Sequence, residues 1–193
     1  MAVFEDIDGI SESLAEALEL AKHYHQDATH SGEEYYKHPV RVVKRLLGIV
    51  STRNVMMDSE KSWDFILIAA ALHDTLEDTV ISEEEISSKF GPTVLGLVKE
   101  LTNEKNDLPF FERHRAQNEK MATVCTGARI IKICDRLDNL KRSAIGWEVW
   151  RRKRYARVTL DMLRLMALIP CMVIPIYCEL VNLCEHILKE QYI

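Results

Sequence analysis

Leu14, Ala17, Leu18 and Ala21 fall at i, i+3, i+4 and i+7 within "SESLAEALELAKHYHQ" (11–26), and that spacing predicts an amphipathic helix. "SGEEYYKH" reads as a loop, and Pro39 suits the first turn of the next helix, "PVRVVKRLLGIV". Beyond "STRNVMMDSEKS" a strongly apolar helix is expected from about Trp63 to Leu76. Ser82 and Glu85 fit a capping box for "SEEEISSKF", and Gly91-Pro92 stops that helix and starts "PTVLGLVKELT".

Residues 103–109 are polar and turn-like, and 110–125 has helical character. "GARIIKICDRLDNLKRSA" carries one apolar face, made of Ile130, Ile131, Ile133, Cys134 and Leu137. A long helix, basic and then apolar, follows Gly146, and Pro170 and Pro175 interrupt or restart the C-terminal helices. No run of alternating polarity bounded by turns, no repeat and no Gly/Ser linker stands out. The fold class is therefore all-α, a compact helical bundle, with 1–193 read as a single domain.

Composition adds limits. A hydrophobic share of 47% with 28% charged residues is that of a globular chain and excludes wholesale disorder. The net charge of −5 disfavours non-specific nucleic-acid binding by the chain as a whole. Five cysteines with no CxxC pair suggest reduced thiols in the cytoplasm, and "MAVFEDIDGI" lacks the basic and apolar regions of a signal peptide. The most apolar run, "LMALIPCMVIPIYC" (165–178), has 14 residues and two prolines, short of the roughly 18–20 a membrane span needs. Core packing is its default reading, and a homodimer interface is the second.

The chemistry gathers where the apolar helix ends. "AAALHDTLEDT" (69–79) delivers His73, Asp74, Thr75, Glu77 and Asp78 directly after Ile66–Leu72. On a continuous helix His73 and Glu77 are i, i+4, as are Asp74 and Asp78, so each pair would share a face. An exposed acidic turn would account for Glu77 and Asp78, but not for His73 and Asp74 beside a buried run. Burying an unpaired carboxylate costs several kcal/mol unless a cation or hydrogen bonds compensate, and a divalent metal compensates it. Two further ligand candidates are His38, held before Pro39, and Asp135, which follows Ile131 and Cys134. His38 alone would read as a surface loop histidine. Asp135 could instead pair with Lys132 or Arg136 on a solvated face. Two imidazoles and two carboxylates suit manganese, iron, cobalt or zinc better than calcium or magnesium.

"HPVRVV", "ALHDTLEDT" and "KICDRLDNL", in this order, resemble the HD-domain hydrolases of the RelA/SpoT family, and the resemblance runs from about Ala17 to Tyr155. It implies a helical bundle holding one manganese ion and removing pyrophosphate from the 3′ position of (p)ppGpp. It makes His38, His73, Asp74 and Asp135 the metal ligands and Glu77 and Asp78 the acidic pair that handles the attacking water. It places Lys22, Asn139, Arg151 and Tyr155 around the nucleotide, with Arg41 and Lys44 as further candidates to balance its charge. Arg152 and Lys153 are expected on a solvated face.

The first basic motif departs from the family: Ala21 stands where an arginine is usual, and Asp27 and Thr29 fall where basic residues commonly follow. The metal cradle therefore looks intact while recognition of the base and the 5′ end looks altered. That leaves two other readings: a hydrolase of another nucleotide bearing a 2′ or 3′ phosphate, such as NADPH, and a nucleotide-binding regulator without turnover. Only 38 residues follow Tyr155, too few for the second catalytic domain of long RelA/SpoT proteins, so alarmone synthesis is not expected.

Overall fold

A computed structural model describes residues 10–30, 32–51, 60–103, 107–166 and 169–191. The chain divides into two compact units, Met1–Thr102 and Asn103–Ile193.

Unit one is built around a helix that is apolar on every side. The helix α3 (Glu60–Leu72) buries Trp63 and every residue from Ile66 to Leu72, and a helix without a polar face must be covered all round. Three helices cover it: α1 (Glu12–Tyr24), α2 (Lys37–Ser51) and α5 (Glu83–Leu101). The expected stripe of α1, Leu14, Ala17, Leu18 and Ala21, is buried, and Ser11 caps the helix by accepting from the Leu14 amide. The small Ala69-Ala70-Ala71 run leaves room for backbones to approach closely. Between α1 and α2 the chain makes a two-residue antiparallel ladder, β1 (Thr29–His30) with β2 (Glu33–Glu34), turning at Gly32 with φ 79°. The loop expected there thus holds a short hairpin, which leaves the all-α class unchanged.

Two boundaries matter for the site. The apolar helix does not continue to Leu76: it ends at Leu72, and a single turn, α4 (Thr75–Asp78), follows. The Thr75 hydroxyl donates to the Leu72 carbonyl at 2.7 Å, which satisfies a helix-end acceptor at the break. The second boundary behaves as the sequence suggests. Ser82 accepts from the Glu85 amide, and α5 is two helices joined at Gly91, whose φ of 85° and ψ of 168° only glycine adopts readily. The Glu85 carboxylate, however, accepts from the Tyr24 hydroxyl at 2.6 Å, tying α5 to α1.

Unit two holds α6 (Phe110–Thr123), α7 (Thr126–Arg142), α8 (Val149–Leu165), a 3₁₀ turn (Cys171–Val173) and α9 (Ile174–Lys189). The helix α8 packs on α6 and α9, and α7 packs on α9. In α7 Ile130, Ile131, Ile133, Cys134, Leu137 and Leu140 are buried, and so are Lys132, Asp135, Arg136 and Asp138. Pro170 and Pro175 sit at helix starts, so Cys171–Lys189 forms one apolar stretch of 19 residues, long and apolar enough to cross a membrane. Leu180, Cys184 and Ile187 turn it into the core of unit two, while Ile174 and Cys178 are exposed. All five cysteines are free thiols.

Candidate metal centre and nucleotide-binding residues

The break after Leu72 sets the orientation of the first candidate ligand. The Nδ1–H of His73 donates to the Ala70 carbonyl at 2.8 Å. A carbonyl can only accept, so the proton sits on Nδ1 and the Nε2 lone pair is presented on the other side of the ring. Asp74 caps no helix with its side chain. Its Oδ2 lies 3.1 Å from His73 Nε2 and 3.8 Å from Nε2 of His38. His38 comes from the first turn of α2, where its amide donates to the Tyr35 carbonyl at 2.9 Å, and both imidazoles are buried.

Three ligand atoms, one each from His38, His73 and Asp74, lie within 4.8 Å of one another. The His73 Nε2 lone pair faces a carboxylate oxygen, and the two repel unless a positive charge lies between them. Metal–ligand bonds of about 2.0–2.2 Å separate neighbouring ligand atoms by roughly 3–3.5 Å, close to the distances found. The donor set and its spacing therefore fit a divalent cation.

Tyr35, in the loop between β2 and α2, adds a contact that spacing alone did not reveal. Its hydroxyl lies 2.7 Å from Asp74 Oδ2 and 3.1 Å from Asp78 Oδ2. The ring of His25, just past the end of α1, stacks on Tyr35 with centroids 4.3 Å apart. Burial holds the His25 pKa below its ordinary value, although the carboxylates of Asp74 and Asp78 pull it upward. Burial, then the Asp74 and Asp78 charges, push the Tyr35 hydroxyl well above its ordinary range, so it stays a proton donor. Glu77 and Asp78 sit on α4, Glu77 half-buried and Asp78 exposed. The Lys22 ammonium lies over the Tyr36 ring at 5.1 Å, and Arg41 pairs with Glu33. Ala21 is buried at 1% exposure, so the side chain that replaces the family's arginine faces the core.

In unit two Asp135 is buried, which removes the solvated-face alternative while keeping the pairing it proposed: Lys132 Nζ lies 2.8 Å from Oδ2. The other oxygen accepts from Asn139 Nδ2 at 2.6 Å, and the same amide lies 3.3 Å from the Tyr155 hydroxyl. Arg136 turns elsewhere, with its guanidinium over the Tyr155 ring at 4.6 Å. Trp147 and His114 meet the Tyr155 ring edge-on, and Arg151 lies 4.2 Å from the Trp147 centroid. Asp135, Asn139 and Tyr155 are thus one hydrogen-bonded chain, with Arg151 joined to it through Trp147. Burial raises the Tyr155 pKa, and the Arg136 charge opposes that. His114 stacks on Phe110 at 3.9 Å and gives its Nδ1–H to the Phe110 carbonyl. Arg152 departs from its expected place. It is mostly buried and pairs with Glu190 at 2.8 Å, so it ties α8 to the C-terminal end.

Tyr35 and His25 are the participants that the sequence reading missed. For Tyr35 the signal was short range, three residues before His38. His25 had no such signal, since its link to the site is a ring stack on Tyr35.

The HD-domain family profile matches residues 17–167, a stretch that includes residues of both units. The chain is 42% identical over 106 residues to guanosine-3′,5′-bis(diphosphate) 3′-pyrophosphohydrolase MESH1 of Drosophila melanogaster, covering 51% of this chain and 59% of that protein. It is 33% identical to the enzyme of the same name from Mus musculus, over 74% of this chain and 78% of that one. A solved structure described as a metazoan ortholog of SpoT that hydrolyzes ppGpp superposes with a TM-score of 0.75 at 28% identity. That superposition covers 91% of this chain and 97% of the other.

Proposed function

This chain belongs to the HD-domain family, with relatives among the SpoT-type hydrolases, and from that premise we propose that it is a metal-dependent phosphohydrolase that removes pyrophosphate from the 3′ position of (p)ppGpp. The observation that carries the proposal is the convergence of His38, His73 and Asp74, with both Nε2 atoms facing Asp74 Oδ2. Family membership implies a divalent ion. Manganese is our assignment, because two imidazoles with carboxylates suit it better than they suit magnesium or calcium. Asp135 completes the ligand set by its motif rather than by a distance. The whole matched stretch, 17–167, acts in this reading as one catalytic domain.

An ion held there would supply positive charge to a phosphoryl oxygen and lower the pKa of a bound water toward neutrality. The residues do the rest. Glu77 or Asp78 orients the attacking water and takes its proton. The water oxygen joins the phosphorus carried on the ribose 3′ oxygen, the bond from phosphorus to that oxygen breaks, and the 3′ oxygen takes up a proton. The products are pyrophosphate and GDP or GTP. Asn139, Tyr155, Arg151 and Lys22 bind and orient the nucleotide. Tyr155 and Arg151 suit this work because their partners hold them in place: Asn139 and Arg136 fix the tyrosine, and Trp147 lies under the guanidinium.

A second substrate, another nucleotide with a 2′ or 3′ phosphate, is favoured by two observations. Ala21 faces the core, and Arg41 pairs with Glu33. Neither position then offers a cation to the nucleotide. Five free thiols suit a reducing cytosol, where we place the protein. The exposed side of α9, at Ile174 and Cys178, is where we place a homodimer interface, which light scattering tests.

The deciding experiment is metal analysis of the purified protein, followed by a manganese-supplemented assay of pyrophosphate and phosphate release over a panel containing ppGpp, pppGpp and NADPH. Pyrophosphate from ppGpp supports the first substrate. Phosphate from NADPH moves the assignment to the second. No release from any nucleotide by manganese-loaded protein refutes the hydrolase reading and leaves a nucleotide-binding regulator.

A further inference from the structure

Asp74 Oδ2 and Asp78 Oδ2 both lie within hydrogen-bond reach of the Tyr35 hydroxyl, at 2.7 and 3.1 Å. A phenol has one proton and can donate one full hydrogen bond, whereas both of these neighbours are acceptors. The shorter contact goes to the oxygen that faces His73 and His38. The longer one goes to a carboxylate of the acidic pair. The ring cannot easily swing away, because His25 is stacked on one face and the His38 ring meets it edge-on at 6.2 Å. The next residue but one is Lys37, the first of α2, and the amide of His38 is bonded to the Tyr35 carbonyl. Tyr35 is therefore anchored by its backbone to the helix that carries His38, and by its hydroxyl to the segment that carries Asp74 and Asp78.

We infer that Tyr35 is a positioning residue that couples ion binding to the orientation of Asp78. Before an ion binds, the proton goes to Asp74 Oδ2, the nearer acceptor, and turns that oxygen toward the two imidazoles. A cation bound at the same oxygen withdraws electron density from it and weakens it as an acceptor. The single proton then moves to Asp78 Oδ2, which fixes that exposed carboxylate in one direction. The site thus acquires an aligned carboxylate only when its ion is in place. This inference rests on the hydrolase reading for the role of Asp78. Its first half, the hold on Asp74, does not depend on that reading.

Tyr35→Phe tests it, since the ring and its stack on His25 remain and only the hydroxyl is lost. Because the proton must leave Asp74 Oδ2 when the ion takes that oxygen, manganese affinity, read by electron paramagnetic resonance titration, is expected to rise about 3-fold or more in the variant. With manganese saturating, kcat on the substrate that the panel identifies falls about 10-fold or more while KM stays within 2-fold. In an Asp78→Asn background the kcat effect of Tyr35→Phe shrinks to less than 3-fold, because the acceptor through which it acts has gone. Unchanged manganese affinity in Tyr35→Phe, with circular dichroism as in the parent, overturns the hold on Asp74. An undiminished kcat effect in the Asp78→Asn background overturns the coupling. If the parent protein turns over nothing, the hydrolase reading and the coupling fail together, and the manganese titration still decides the hold on Asp74.

Discussion

His114 gives the structure its clearest pH signature. Burial on α6 brings its pKa down from 6.5 to about 4, and the charges of Arg136, Arg113 and Arg154 push the same way. Its bond to the Phe110 carbonyl opposes them and does not win. Because the folded protein binds this proton less readily than the unfolded chain does, the unfolded state holds more protons between pH 4 and 6.5. Stability must therefore rise with pH across that window and fall as the solution is acidified. With those two values the loss is about 2 kcal/mol on going from pH 7.5 to pH 5 and about 3 kcal/mol by pH 4, below which it levels off. Other groups titrate over the same range, so the measurement is a difference. His114→Asn keeps an N–H that can serve the Phe110 carbonyl but carries no titrating proton. Urea unfolding of both proteins at pH 7.5, 6 and 5, followed by circular dichroism, is expected to show the parent losing about 2 kcal/mol more than the variant. Parallel losses would refute the claim that His114 is held neutral by burial.

Three further outcomes follow from named contacts. His73→Asn is expected to weaken manganese binding at least 100-fold at neutral pH without unfolding unit one, as read by the same resonance titration and by thermal melting. Asp135→Asn removes the carboxylate that the buried Lys132 ammonium meets at 2.8 Å and is expected to cost about 3–5 kcal/mol in urea unfolding. Adding Lys132→Met to that variant should recover most of the stability and none of the ion affinity. Gly91→Ala is expected to cost about 1–3 kcal/mol. An added Cβ there meets nothing within 4 Å, so the whole cost is the positive φ, and a neutral result would mean that the kink relaxes.

Much of the fold could be read from spacing because each helix of unit one shows its buried face in the sequence. The stripe Leu14, Ala17, Leu18 and Ala21, the cap at Ser82 and the break at Gly91-Pro92 are local features, and local rules found them. The end of the apolar helix was placed wrongly, because periodicity cannot register a hydroxyl. Thr75 closes the chain on the Leu72 carbonyl four residues before the apolar pattern runs out at Leu76. The prolines of the C-terminal run restart helices, one of the two outcomes their placing allowed: Pro170 precedes the 3₁₀ turn and Pro175 lies in the first turn of α9.

The ion cradle shows what kind of information lies beyond such rules. That His73 and Asp74 would need compensating partners was legible, since two ionisable groups end a buried run. Which atoms face one another was not. The Nδ1 bond to Ala70 decides which histidine nitrogen is offered, and it exists only because the helix stops where it does. Tyr35 reaches Asp74 and Asp78 from 39 and 43 residues away along the chain, from a position just after a hairpin too short to announce itself. Asp135 makes the same point within one helix. The sequence offered pairing with Lys132 on a wet face or ion binding in a buried one, and the buried pair with Lys132 combines parts of both. A buried ammonium on one oxygen and an amide on the other hold that carboxylate in one orientation, which spacing along the helix allowed but did not specify.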